Sequence, residues 1–390
     1  MIFLMILIFI LGIWFSRIIF SSWINPFSIS AMPLFIFVYL GALMRMTTYP
    51  MQGSLLVDVY SLIYLLSIFS GCICYKYFFG KAETKQYFIK SVSTNYLVWV
   101  MAFGLLMMSP LFVNLEFSFV GFRSFYHEFR ANNVYSVFYY LIGSVLPVIA
   151  LLAFYDRKYA LFALVCCLLV MTGKKQIIFN AVLFIVAYHE LVKHRKISNL
   201  WMPITLSIAS LFALQVLFSA ASLTPIQKIS GYFDIYINMA DILEKIQLGE
   251  FNGAITISNS WAFIPRFFYE AKPEIYGTIL LHAKYYPSEL MMGYTRGIFS
   301  PITAPLADFG VWYLIFKSFV QGLISAFLFY MFKKDKSLFW LLLFLSGFNL
   351  VYIIIFAPYI VLKKIKNDYS KNITRRKASK QIVRNRAVYR

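Results

Sequence analysis

Charge is scarce in this chain. Of its 390 residues only 13% are Asp, Glu, Lys or Arg, and acids are the rarer sign, 16 against 36 bases. A soluble domain carries roughly 25% charged residues, while here 61% of residues are hydrophobic. A water-soluble core of this length cannot hide so much apolar side chain, so a water-soluble fold is excluded. Cysteine is also rare. Cys72, Cys74, Cys166 and Cys167 lie inside apolar runs without nearby histidines, and read as small core hydrophobes rather than as a disulfide framework or a metal site. The four histidines, His127, His189, His194 and His282, lack ligand spacing, so no metal is expected. A phosphate-cradling glycine motif, a nucleophile elbow and a nicotinamide fingerprint are all missing. That argues against a cytosolic nucleotide-using enzyme, and no cofactor is expected. Internal repeats are missing as well, unlike transporters built from repeated halves.

What is present is length in apolar runs. Runs such as Leu97–Leu106 and Leu206–Ala221 lack the alternation of a barrel strand, so the spans are helices. The fold class expected is an all-α polytopic membrane protein with about 10–12 transmembrane helices. Candidate spans are 1–20, 28–47, 54–78, 93–113, 134–155, 159–172, 176–192, 200–222 and 310–332, with a last apolar stretch at 338–362. Residues 1–14 have no basic leader region and read as a span that stays.

The net charge of +20 sits beside the apolar runs, which points to membrane topology and not to nucleic acid. Lys76 to Lys90, Arg157 with Lys158, Lys193 to Lys196, and Lys333 to Lys336 all fall on one side if the spans alternate. That side is expected to be cytoplasmic. Strict alternation would place the basic tail 363–390 outside. Gly347 and Asn349 are positioned to break 338–362 into a re-entrant hairpin and return the tail to the cytosol.

The domains expected are a transmembrane bundle over 1–222 with a small outer loop at 114–133, a large extracytoplasmic loop at 223–309, C-terminal membrane segments at 310–362, and the tail. The large loop holds Asp234, Asp241, Glu244, Glu250, Glu270, Glu274, Glu289 and Asp308, half of the acids in the chain. A connection of this size is a functional candidate. Within it Pro225–Gly249 has Ile226, Ile229, Phe233, Ile237, Ala240 and Leu243 at helical spacing. The spacing predicts an amphipathic helix on the bundle or the bilayer surface.

The chemistry-bearing groups are then arginines and carboxylates outside the membrane. Arg123 and Arg130 are seven residues apart in one outer loop; Arg266, followed by Lys272 and Pro273, lies in the other. A guanidinium binds phosphate oxygens as a fork, so arginines from two loops can clamp a diphosphate; each is also compatible with an interfacial arginine touching lipid headgroups. Glu270, Glu274 and Asp308 are candidate bases. Lys272, Gly277, Trp261, His282 and Arg296 are candidate substrate contacts, Trp261 as a stacking face for sugar and equally as part of the interfacial aromatic belt.

Several motifs resemble those of the bacterial O-antigen polymerase (Wzy) family. Arg266 and Gly277 are separated by ten residues, the arginine-ten-glycine pattern of that family's outer loops, with Pro265 and Lys272-Pro273 between or beside them. Gly121 to Arg130 supplies two arginines without the matching glycine. Thr172-Gly173-Lys174-Lys175 resembles the family's turn between two short spans, where arginine is more usual. Pro301 to Gly310 resembles its return into the membrane. The layout covers most of the chain, and the motif-level likeness is confined to these four stretches. The resemblance implies a GT-C-like, metal-independent glycosyltransferase of the bacterial inner membrane. It would polymerise undecaprenyl-diphosphate-linked oligosaccharide repeat units into O-antigen or a related surface polysaccharide, alongside membrane lipids, a flippase and a chain-length regulator. An O-antigen ligase and a lipid-linked oligosaccharide flippase or transporter share parts of this pattern.

Overall fold

The structure is a computed structural model. It describes residues 2–46, 53–80, 89, 92–112, 133–171, 175–194, 234–263, 271, 273, 275–291, 296–347, 352–356, 358, 359 and 361. The expected span 200–222, the outer loop 114–133 and the tail 363–390 lie outside them. Among the described residues the fold is nearly all helical (83%), and none belongs to a strand.

Among the described residues four helices are long and apolar enough to cross a membrane. The first is α1, Ile2–Phe20. The second begins as α2, Pro26–Leu34, where Asn25 and Ser28 form a reciprocal capping box and Pro26 needs no N–H partner. Pro33 withholds an N–H from the ladder, and the helix widens over Phe35–Leu40 before resuming as α3, Gly41–Met46. The third is α4, Leu55–Phe79, capped by Ser54. The last is α5, here the label for Val311–Asp335. At 25 residues each, α4 and α5 are about 37 Å long, enough for a bilayer core. The remaining bundle helices are α6 (Thr94–Phe112), α7 (Asn133–Tyr155), α8 (Tyr159–Met171) and α9 (Lys175–Leu191).

α4 and α5 run parallel in backbone contact. The Tyr64 hydroxyl meets Gln321 at 3.3 Å, Cys72 Sγ donates to the Gly322 carbonyl at 3.4 Å, and Tyr75 packs on Phe327 and Tyr330. Small residues make the approach possible, as is usual where lipid supplies no hydrophobic drive between helices.

Several basic residues gather at one end. Lys76 donates to the Ile19 carbonyl at 2.5 Å and Lys333 to the Phe20 carbonyl at 3.2 Å, so two helices neutralise the C-terminus of α1. Lys336 lies 3.2 Å from His194. Thr94 bonds Asp156, beside Arg157. At the same end Glu190 accepts hydrogen bonds from Ser22 and the Trp23 amide.

The last helix of the bundle, α10 (Leu338–Ser346), starts at this end under a Ser337 cap and stops after nine residues. Gly347 ends it at φ +66, a conformation that costs side chains with a Cβ. The chain then doubles back. Phe356 faces Phe339, and Tyr359 stacks near Tyr96 in the first turn of α6. The expected hairpin at Gly347 is therefore present; Asn349 lies outside the described residues.

Candidate functional site

At the opposite end, the described residues between 234 and 309 form a cap of short helices: α11 (Ile235–Lys245), α12 (Ala254–Ser258), α13 (Ile279–Tyr285), α14 (Pro287–Met291) and α15 (Ser300–Phe309). A second, smaller core of Ile242, Ile255, Leu281, Tyr286, Ala304 and Ala307 holds them together.

α11 seats the cap on the spans. Its buried face is Tyr236, Met239, Ile242 and Leu243, each worth roughly 1.5–3 kcal/mol if fully desolvated. This corrects the expected stripe: Ile237 and Ala240 are only partly buried. The expected phase was anchored on Ile226 to Phe233, outside the described residues, whereas the helix starts after Asp234. Below it, Asp58 is buried at 1% exposure. Its Oδ1 accepts from Tyr39 at 3.0 Å and from Tyr236 at 3.4 Å, and the Ser54 amide donates to the Tyr236 hydroxyl at 2.8 Å. One carboxylate thus joins the wide turn of the second span, the start of α4 and the cap. An ion pair between Arg45 and Asp234 adds to this seam. Burial pushes the Tyr236 hydroxyl up to about 12, so it stays a donor.

Asp308 is fully buried. The Ile255 amide donates to Oδ1 at 2.9 Å, and the Thr256 amide to Oδ2 at 2.7 Å, with the Thr256 hydroxyl as a third donor. It terminates α12 electrostatically, as anions do at helix N-termini, and its lone pairs face protein donors.

Arg296 is the hub of an ion cluster. Its Nε donates to both Glu289 oxygens at 2.8 and 3.0 Å, its Nη1 donates to Asp241 at 2.7 Å, and the guanidinium lies 4.2 Å over the Tyr286 ring. Tyr286 donates to Asp241 at 2.7 Å, and Lys245 pairs with the same carboxylate at 2.8 Å. Burial works against the Asp241 charge, but the bonds from Lys245 and Tyr286 and the nearby cations outweigh it and hold the carboxyl below its usual range. The Arg296 hydrogen bond lowers Glu289 in the same sense.

His282 is buried, with Nδ1 3.1 Å from the Thr278 carbonyl and Nε2 3.0 Å from the Arg296 carbonyl. Both ring nitrogens therefore face backbone carbonyls of the cap, one of them as an N–H donor.

Gly277 closes the stretch that bears the arginine. It sits at φ +59, its amide donates to Ser258 Oγ at 2.9 Å, and a Cβ there would stand 2.7 Å from Asn259 Oδ1. Asn259–Phe263, which includes Trp261, is the single turn that begins the stretch. Its two ends are therefore held together by the Gly277 amide, at a positive φ that favours glycine. Arg266, Glu270, Lys272 and Glu274 lie inside this closed loop and outside the described residues, as do Arg123 and Arg130.

The comparisons are silent. No family model, curated protein or solved structure matches the chain. Among the described residues no group of His, Cys, Asp and Glu could hold a metal ion.

Of the expected site residues, the structure brings Asp308 and Gly277 into the cap as framework, and uses Arg296 and His282 to tie its helices. Sequence reasoning missed the Tyr39–Asp58–Tyr236 junction. It also missed Lys317, a lone cation in the apolar run of α5, for which the signal was simply a charge inside a span.

Proposed function

We infer that the chain is a GT-C-like membrane glycosyltransferase that polymerises undecaprenyl-diphosphate-linked repeat units into O-antigen or a related surface glycan. The lysine-rich end would face the cytosol and the cap the outer leaflet of a bacterial inner membrane. The observation that carries the reading is Gly277. In the arginine-ten-glycine spacing the glycine is the member with a testable backbone demand, and here it meets that demand by closing the loop that carries Arg266.

The step transfers the growing glycan. The acceptor hydroxyl oxygen bonds the anomeric carbon, the bond from that carbon to the diphosphate oxygen breaks, and the electron pair leaves with the lipid diphosphate. Arg266, aided by Arg123 or Arg130 and by Lys272, stabilises the charge that develops there. Glu270 or Glu274 takes the hydroxyl proton. Asp308 is assigned to holding α12 instead.

The test is purified protein with lipid-linked repeat units and no nucleotide sugar. Ladders of lengthened lipid-linked glycan are expected. Transfer only to a lipid A core acceptor would make the chain a ligase, and an inert mixture across active lipid substrates would remove the glycosyltransferase reading.

A further inference from the structure

Lys317 is the seventh residue of α5, roughly 10 Å along the axis from the cap end. An ammonium inside a span is costly to insert and normally has a partner. Four other cations of the long apolar helices have one: Lys76 and Lys333 bond carbonyls, Arg45 pairs with Asp234, and Arg17 lies 4.1 Å over Trp23. Among the described residues Lys317 has no hydrogen bond and no ion pair; its nearest aromatic face is Tyr313, 5.9 Å away. Asp308 is the acid close enough to feel it, and Asp308 is committed to Ile255 and Thr256.

The surface around Lys317 suits an amphiphile. Tyr313 lies one turn towards the cap on the Lys317 line, and Ile324, seven residues further along that line, is 44% exposed; Trp312 (83%) and Phe316 (63%) are exposed further round the helix. Tyr313 contacts the Thr256 hydroxyl at 3.4 Å, so this face of α5 runs directly under α12. A cation near the cap end of a span, an exposed apolar residue further along the same line and a folded cap above it suit a lipid held by an anionic head.

We propose that Lys317 binds the diphosphate headgroup of a polyprenyl lipid whose chain lies along α5 past Ile324. The ammonium reaches up to the interface, as long basic side chains do, and ends beside the cap. This rests on the polymerase reading for the choice of diphosphate over other anionic heads.

The experiment uses the full chain in detergent, titrated with undecaprenyl diphosphate, undecaprenol and phosphatidylglycerol, and read by native mass spectrometry. Lys317→Met removes a charge from an apolar helix, and a melting curve without lipid checks its fold; Lys317→Arg is the second variant. Undecaprenyl diphosphate is expected to bind wild type best, about tenfold or more weaker to the Met variant, and nearly normally to the Arg variant. Equal binding to wild type and K317M overturns the site and leaves the polymerase reading standing. Equal binding of phosphatidylglycerol overturns the diphosphate assignment. A wild-type protein that binds the diphosphate through Lys317 and makes no polymer overturns the polymerase reading alone.

Discussion

Gly71 and Gly322 face each other across α4 and α5. A Cβ on Gly71 would collide with the Phe319 carbonyl oxygen, and one on Gly322 with the Ile68 carbonyl oxygen. Even alanine has nowhere to go, because the obstacle on each side is backbone. Gly322→Ala should therefore destabilise the protein by roughly 1–3 kcal/mol, and Gly322→Val by more. Melting of the detergent-solubilised variants measures this, and an unchanged midpoint for Gly322→Val would refute the close contact.

Asp308 offers a cleaner division between structure and chemistry. Asp308→Ala leaves the Ile255 and Thr256 amides without their acceptor, at a cost of roughly 1–3 kcal/mol. Limited proteolysis should then cut the cap around α12 faster. An Asp308→Asn protein with normal protease resistance and no transfer activity would instead return Asp308 to the list of bases.

The Arg296 cluster sets how the cap responds to acid. Asp241 and Glu289 are held below their usual range, so their contribution is complete above the ordinary carboxylate values. It disappears as pH falls through the lowered ones, while Arg296 stays charged. Cap stability should be flat from about pH 8 to pH 5 and fall below about pH 4. In a protein carrying Asp241→Asn and Glu289→Gln that fall should shrink; a pH–melting profile matching wild type would show that the cluster is not its source.

For the transfer reaction, Arg266→Ala is expected to abolish long glycan while membrane abundance is retained. Arg266→Lys should rescue poorly, since the fork is lost. Normal ladders from the alanine variant would take Arg266 out of the mechanism.

Sidedness can be read directly. Cysteines introduced at Lys336 and at Leu248, in a background without the native four, should react with an impermeant maleimide from opposite faces of the membrane, Leu248 from outside. Labelling of both from one face contradicts the arrangement of the two ends.

Local signals in the chain were legible because their physics is local. Gly347 after an apolar run marks a helix end through groups three or four residues away. The phase of α11 was not legible. Its partners are Ser54 and Asp58, 182 and 178 residues distant, and the upstream apolar residues suggested another face. Asp308 looked like a free acid for the same reason, since its donors lie 53 and 52 residues back. Gly277 was readable as a motif member, but what it closes against, Ser258 and Asn259, emerges only in three dimensions.

The pairing of α4 with α5 also imposes a timetable. Cys72 and Gly322 are 250 residues apart, so at about 5–20 residues per second the ribosome needs roughly 10–50 s to deliver the second helix after the first. Through that interval the Gly71 face of α4 lacks α5, and Asp58 lacks Tyr236. Biogenesis of this protein thus has a half-built stage, and the α4–α5 contact closes only at its end.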